Sequence, residues 1–198
     1  PHPLVVWGVS GSGKSALMAK AVEQAQQRGH KVLYRFIGAT PPSSSGRALL
    51  ESLCRQISRR YGADEATIPS EYKDLVQEFP KRLALATPTQ PLILFLDALD
   101  QLSDADNARR LTWLPAQLPP HVRLVLSTLP GECLQALESK TPVHHRLEVQ
   151  PLAAKDGEAV LDAWLDGVHR QLQANQKHYL LEKFAGCGLP LYLKLAYE

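Results

Sequence analysis

Short apolar runs alternate with amphipathic stretches along most of this chain of 198 residues. The intervening stretches have helical periodicity, as in the segment from Lys14 to Arg28. Strands that alternate with helices predict an α/β fold in which a parallel sheet has helices on both faces. Five runs bounded by glycine, proline or polar residues predict the strands: Leu4 to Trp7, Lys31 to Ile37, Leu92 to Leu96, Val122 to Ser127 and Arg146 to Val149.

The pattern changes at Pro151. From Lys155 onward the chain shows only helical periodicity, which predicts a small helical subdomain over residues 152–198 after a nucleotide-binding domain over residues 1–151. Two further local features are expected in the first part. A serine in the loop from Pro41 to Gly46 should cap the next helix, and a break or kink is expected at Pro80.

The run from Gly8 to Ser15 has the spacing G-x-x-x-x-G-K-[ST] of a phosphate-binding loop. It follows a predicted strand and precedes a predicted helix, which is the context that such a loop requires. In that context Lys14 can reach the β and γ phosphates and the Ser15 hydroxyl can bind Mg²⁺. The alternative is a glycine-rich turn without a ligand. The predicted nucleotide-binding residues are Gly8, Ser10, Gly11, Ser12, Gly13, Lys14, Ser15 and Ala16.

A second group of candidates follows the most apolar strand, which ends at Asp97. An aspartate at the carboxyl end of a buried parallel strand lies at the edge where such sheets bind ligands, so Asp97 is expected to hold Mg²⁺. Asp100 follows one turn later and could orient or deprotonate the attacking water. Each of these aspartates could instead be an ordinary turn or capping residue.

Ser127 ends the fourth predicted strand, where its hydroxyl could sense the γ-phosphate or simply terminate the strand. That strand is also expected to lie between the strands ending at Trp7 and Asp97. Such an order leaves space for a hydrolytic water and favours an ATP hydrolase over a small-molecule kinase, in which the two strands are usually adjacent.

Charge and cysteine content give little information about the partners and location of the protein. The net charge of +2 gives no indication of nucleic acid or a membrane as a partner. Three cysteines far apart in the chain predict neither a disulfide framework nor a zinc site, so we expect a cytoplasmic location. Because the chain begins without methionine just before its first strand, we expect a piece of a longer protein.

Four motifs together resemble the nucleotide-binding module of signal-transduction ATPases with numerous domains, the STAND class of P-loop NTPases. Within that class the chain is most similar to NACHT domains found beside WD or tetratricopeptide repeats, such as those of nephrocystin-like and telomerase-associated proteins. The segment from Arg35 to Arg47 also resembles that subgroup. The four motifs are Gly8 to Ser15, Leu94 to Leu102, Leu126 to Pro130 and Gly188 to Leu191.

This resemblance implies ATP or ADP and Mg²⁺ as ligands. It implies that Lys14 and Ser15 serve phosphate and metal, Asp97 the metal and Asp100 the water. Pro190 would pack near the adenine or ribose and report the nucleotide state to the helical subdomain; without the family, it is a proline in the first turn of a helix. Two positions differ from many relatives. Many relatives have a basic residue where the fourth predicted strand ends, whereas this chain has the uncharged residues Ser127 to Leu129. Many also have a glutamate directly after the second aspartate, whereas this chain has Gln101.

The resemblance further implies a regulatory switch that hydrolyses ATP slowly and changes conformation with its nucleotide. The full-length protein would self-associate through this domain, and a downstream repeat domain would bind a protein partner. The chain would stop before the winged-helix domain of its relatives. The alternatives are a motor ATPase of the AAA+ type, a nucleotide-binding scaffold without hydrolysis, and a small-molecule kinase.

Overall fold

The computed structural model describes residues 1–197. All five strands predicted from sequence are present in residues 1–197, each within one residue of its expected bounds. Four α-helices precede the three C-terminal helices in this part of the chain. The strands are β1 Leu4–Trp7, β2 Val32–Phe36, β3 Leu92–Asp97, β4 Val122–Thr128 and β5 Arg146–Glu148. The helices are α1 Lys14–Gln27, α2 Gly46–Tyr61, α3 Tyr72–Leu83, α4 Glu132–Glu138, α5 Ala154–Gly167, α6 Ala174–Ala185 and α7 Pro190–Tyr197.

The strands form one sheet in the order β2-β3-β4-β1-β5. The pairs β2–β3, β3–β4 and β1–β4 are all parallel, so these strands end at one edge of the sheet. Strand β4 lies between β1 and β3, as expected from the sequence. The edge at which the strands end therefore presents Asp97 of β3 and Thr128 of β4, and β1 ends there at Trp7.

Both faces of β3 are buried, which is why its sequence is almost continuously apolar. On one face, Leu92, Leu94 and Leu96 contribute to the main core together with residues of α2 and α3. On the other face Phe95 is also buried. Helices cover both faces of the sheet, as the alternation of strands and helices predicts.

The local expectations for α2 and α3 have different outcomes. Ser45 caps α2, because its side chain accepts a hydrogen bond from the Ala48 N–H. Of the break or kink expected at Pro80, the break is wrong, because α3 continues through this proline to Leu83. Phe79 and Leu83 are fully buried on either side of it, and this packing outweighs the loss of one backbone donor.

The chain divides into two compact units. The first consists of Pro1–Trp7 and Ser15–Leu147, and the second of Gly8–Lys14 together with the chain from Glu148 onward. The second unit has its own core of five buried side chains among the described residues: Leu161, Leu165, Leu180, Phe184 and Leu193. Across residues 1–197, no helix has both the length and the apolar character needed to cross a bilayer.

Candidate functional site

The loop from Gly8 to Lys14 has backbone conformations that require glycine. Gly11 lies at φ 77° and Gly13 at φ 97°, both in the left-handed region. A Cβ on Gly8 would lie 2.8 Å from the Val149 carbonyl oxygen, so no side chain fits there. The glycines of the motif are thus explained by this local geometry.

Two polar side chains of the same loop are buried. Lys14 donates hydrogen bonds from Nζ to the carbonyl oxygens of Gly8 and Val9, each at 2.9 Å, which closes the loop around its ammonium group. Ser12 is 3% exposed, and its Oγ has no hydrogen-bond partner among the described residues. Buried hydroxyls are normally hydrogen-bonded. A loop that carries both an unpartnered buried hydroxyl and an ammonium group fits a phosphate.

The phosphate loop also contacts α7 within the second unit. The Leu191 N–H donates to the Gly11 carbonyl oxygen at 3.3 Å, and a Cβ on Gly11 would lie 2.8 Å from Leu191 Cβ. Pro190, the first residue of α7, lies beside Gly13, where Pro190 Cγ would be 3.7 Å from an added Cβ. The start of α7 and the phosphate loop therefore pack together.

At the edge of the sheet, Asp97 and Ser127 connect the ends of β3 and β4. The Ser127 hydroxyl donates to Asp97 Oδ1 and accepts a hydrogen bond from the Ala98 N–H at 2.8 Å. Asp97 is 3% exposed and Ser127 is fully buried. The hydroxyl thus fixes one oxygen of the carboxylate in place.

Asp100 makes a second connection at this edge. Its Oδ1 accepts a hydrogen bond from the Leu129 N–H at 2.9 Å, and its Oδ2 accepts one from Gln101 Nε2 at 2.7 Å. Gln101 in turn packs against Gly38, where an added Cβ would lie 2.9 Å from Gln101 Cβ. Both carboxylate oxygens of Asp100 are therefore oriented by neighbouring donors, each with a further lone pair for a water.

The charge of the Asp100 carboxylate also affects the pKa of a buried thiol. Burial raises the pKa of Cys133 to about 11, and the Asp100 carboxylate contributes in the same direction. The Cys133 Sγ donates to the carbonyl oxygens of Leu99 and Arg109, each at 3.5 Å. This cysteine is a neutral, structural residue rather than a nucleophile.

The chemistry of Asp97 and Ser15, a carboxylate and a hydroxyl, fits Mg²⁺. Among residues 1–197 there is no group of three or more histidine, cysteine, aspartate or glutamate side chains that could hold a metal. A magnesium ion usually takes one or two protein oxygens and completes its shell with water and phosphate oxygens. Asp97 and the exposed hydroxyl of Ser15 could supply such oxygens.

The predicted site residues fall into two sets. Asp97, Asp100 and Ser127 come together in the first unit, while Gly8, Gly11, Ser12, Gly13, Lys14 and Pro190 come together in the second. Ser10, Ser15 and Ala16 are exposed. Two residues whose N–H groups bind the candidate site residues were not predicted from the sequence. The Leu129 N–H is a backbone group with no sequence signal, whereas the position of Leu191 directly after Pro190 could have indicated its contact with the loop.

The sequence model of the NACHT domain matches residues 2–167, most of the chain. The chain belongs to the NACHT domain family. This confirms the family expected from the four motifs, and it confirms the P-loop NTPase fold.

Two relatives are much longer than this chain. NACHT and WD repeat domain-containing protein 2 of Mus musculus is 35% identical over 209 residues, which cover 100% of this chain and 12% of that protein. Telomerase protein component 1 of Mus musculus is 30% identical, over 96% of this chain and 8% of that protein. The chain thus spans about an eighth or less of the length of these relatives.

A solved structure shares the fold of this NACHT domain. The ORC1 protein of Aeropyrum pernix, solved in complex with DNA, aligns with a TM-score of 0.60 at 17% identity and covers 100% of this chain and 53% of that one. At this identity the likeness concerns the fold alone.

Proposed function

We propose that this NACHT domain is a nucleotide-dependent regulatory switch of a larger signalling protein. It binds ATP or ADP with Mg²⁺, hydrolyses ATP slowly, and couples the bound nucleotide to the position of its helical subdomain. The observation that carries this proposal is the hydrogen bond from the Leu191 N–H to the Gly11 carbonyl oxygen, since it joins the phosphate loop directly to α7.

The phosphate loop would hold the nucleotide through its own groups. Backbone N–H groups of the loop and the Lys14 ammonium bind the phosphates, and the buried Ser12 hydroxyl gains the acceptor that it lacks. When a phosphate binds, we expect Lys14 to exchange a carbonyl acceptor in the loop for a phosphate oxygen. Any movement of Gly11 that accompanies this exchange is passed to α7 through Leu191 and Pro190.

The metal-binding residues would be Ser15 and Asp97. When bound, Mg²⁺ neutralises charge on the phosphate oxygens. The Ser127 hydroxyl holds Asp97 in a fixed orientation for this contact. Asp100, oriented by Leu129 and Gln101, accepts a hydrogen bond from the attacking water and positions it.

The thermodynamic requirement of such a switch is differential affinity. A nucleotide shifts the equilibrium between two conformations only if it binds one of them more tightly. We expect the ATP and ADP forms to differ in the contact of Leu191 and Pro190 with the loop. In the full-length protein, we propose that the ATP form self-associates in the cytoplasm and that a repeat domain binds a protein partner, as the WD repeats named in the relative suggest.

The first experiment measures nucleotide content and turnover. The purified chain is denatured, released nucleotide is identified by chromatography, and phosphate release from Mg-ATP is followed for the native chain and for Lys14→Ala. We expect co-purified ADP and slow release that Lys14→Ala abolishes. The matched control is Lys20→Ala, because Lys20 is an exposed lysine of the same helix paired with Glu23 at 2.8 Å. Fast turnover in the native chain would overturn the switch.

A second candidate is a nucleotide-binding scaffold without hydrolysis. It is favoured by one observation, since both carboxylate oxygens of Asp100 are already engaged and Gln101 adds no second acid. Asp100→Asn separates the candidates. In the switch, hydrolysis falls while ATP binding survives, whereas in the scaffold phosphate release is at background for the native chain and the variant alike.

A further inference from the structure

Arg35 occupies an unusual place for a charged residue. It lies on β2, the strand at the edge of the sheet, and its register partner on β3 is the fully buried Leu96. Because paired residues of neighbouring strands point to the same face, Arg35 faces the side of the sheet that carries the main core and α2. Its guanidinium group is partly buried there, and burial lowers the pKa of Arg35.

The hydrogen bonds of Arg35 use only neutral acceptors. Its Nη1 donates to the Tyr34 carbonyl oxygen at 2.7 Å and its Nη2 to Ser52 Oγ at 2.7 Å. Within residues 1–197 no aspartate or glutamate oxygen lies within ion-pair distance of it. These two acceptors take two of the five N–H donors of the guanidinium, and no counter-charge offsets its partial burial.

Arg82 shows how this protein satisfies an arginine that is buried for structural reasons. Arg82 is 6% exposed, and its Nε donates to the Glu78 carboxylate at 2.6 Å. Its other nitrogens donate to Ser58, Thr67 and the Asp64 carbonyl oxygen. Unlike Arg82, Arg35 has no carboxylate among its hydrogen-bond acceptors.

Arg35 lines a cavity of about 260 Å³. Arg35 is the charged residue of its lining, and no acidic side chain takes part in the described wall. The wall is otherwise apolar or carries hydroxyl groups, which come from Phe36, Ile37, Leu49, Thr40 and Ser43. The first turn of α2 contributes Ala48, so the positive end of that helix also borders the cavity.

We propose that this cavity binds a carboxylate group, which pairs with the Arg35 guanidinium. A planar carboxylate matches the two-point geometry of arginine, and one cation beside an apolar wall suits a monoanion better than a doubly charged phosphate. The cavity is below the range of about 300–1,000 Å³ typical of drug-sized ligands, so the occupant is a small organic acid or an acidic side chain. The segment from Arg35 to Arg47 supplies most of this wall, and the proposal does not depend on the nucleotide function.

The test is a titration of the ¹⁵N-labelled chain followed by NMR. The probes are acetate, a capped peptide with one glutamate, the same peptide with glutamine, inorganic phosphate, and chloride at matched ionic strength. We expect the amide resonances of Ser43 and Leu49 and the Arg35 Nε–H resonance to shift saturably with acetate and the glutamate peptide only. Tighter binding of the peptide identifies a protein side chain as the source, and equal or tighter binding of acetate identifies a free acid. No saturable shift, an equal response to the glutamine peptide, or tighter binding of phosphate would overturn the proposal.

Variants assign the binding to Arg35. Arg35→Met should abolish the shifts, and Arg35→Lys should weaken binding about tenfold because it keeps the charge but loses the planar fork. Arg59→Met is the control, since Arg59 is an exposed arginine of α2 with its own carboxylate, Glu65, at 2.6 Å. Unchanged binding in Arg35→Met contradicts the proposal. If that variant does not fold, the Arg35 Nε–H resonance of the native chain still decides the question.

Discussion

Ser127 and Asp97 join the ends of two neighbouring parallel strands through a single buried hydroxyl. The Ser127 Oγ donates to Asp97 Oδ1 and accepts from the Ala98 N–H at 2.8 Å. Ala98 lies in the left-handed region at φ 60° and ψ 56°, which is uncommon for a residue with a side chain. The serine therefore satisfies a strained backbone group and orients the carboxylate at the same time.

Ser127→Ala should lower the free energy of unfolding by about 1–3 kcal/mol. The substitution leaves the Ala98 N–H and one oxygen of Asp97 without their partner in a buried place, and this is the cost of a buried unsatisfied polar group. Chemical denaturation followed by circular dichroism measures the change. We also expect Mg²⁺-dependent ATP affinity to fall, because Asp97 loses its orientation.

The control for this variant is Ser139→Ala. Ser139 is exposed, and its hydroxyl donates to the Ala136 carbonyl oxygen at 2.8 Å, so water can replace the bond. We expect a change within about 0.5 kcal/mol. Equal losses of unfolding free energy for the two substitutions would show that the Ser127 hydrogen bonds stabilise the fold no more than an exposed one does.

Gly11→Ala should weaken ATP binding strongly and destabilise the chain. Gly11 lies at φ 77°, where a residue with a Cβ is strained, and the new Cβ would lie 2.8 Å from Leu191 Cβ. The phosphate loop or the start of α7 must then move. Fluorescence titration with a labelled ATP analogue and thermal unfolding measure both effects.

Gly29→Ala is the control, because it introduces backbone strain without a steric clash. Gly29 lies at φ 80°, but nothing is within 4 Å of an added Cβ. It should cost only the strain, about 1–2 kcal/mol, with ATP affinity unchanged. If Gly11→Ala is no more harmful than Gly29→Ala, the packing of Leu191 against the loop has no functional weight.

Much of the fold was predictable because its signals are local. The five strands are short apolar runs between breakers, and the phosphate loop is one contiguous motif, so neither needs information from distant residues. Even the position of β4 between β1 and β3 was correctly predicted. The serine cap of α2, Ser45, was also predictable, because a capping side chain binds a backbone N–H within the first turn of its own helix.

The contacts that define the candidate site were harder to predict. The partner of Asp100 is the backbone N–H of Leu129, and the partner of Gly11 is the N–H of Leu191. Every residue except proline has such a group, so the sequence does not show which N–H binds Asp100, and for Gly11 the only signal was the position of Leu191 directly after Pro190. Similarly, the continuation of α3 through Pro80 depends on tertiary packing that outweighs local propensity.

Pro80→Ala should raise the free energy of unfolding by about 1–3 kcal/mol. Pro80 lies inside α3 and has no N–H to donate, so alanine restores one helical hydrogen bond and removes a steric conflict. Thermal and chemical unfolding measure the gain. Pro190→Ala is the control, because Pro190 is the first residue of α7, where proline costs nothing. A neutral or destabilising effect of Pro80→Ala would mean that packing of the proline ring outweighs the missing bond.

The last prediction concerns stability at alkaline pH. Burial raises the pKa of Cys133 from an ordinary value of 9.0 to about 11, with a further contribution from the Asp100 charge. Between these values the unfolded chain has released the thiol proton and the folded chain retains it. The linked contribution to stability is therefore fully present below pH 9 and is lost as the pH rises toward 11.

Chemical denaturation at pH 8 and pH 10 tests this contribution. The free energy of unfolding should fall with pH in the native chain, and the fall should be about 1 kcal/mol smaller in Cys133→Ala. Comparing slopes removes the constant cost of the small cavity that the substitution leaves. Cys54, whose pKa burial raises to about 12, stays in both proteins and accounts for part of the remaining slope. Identical slopes would mean that Cys133 ionises in the folded chain as readily as in the unfolded one.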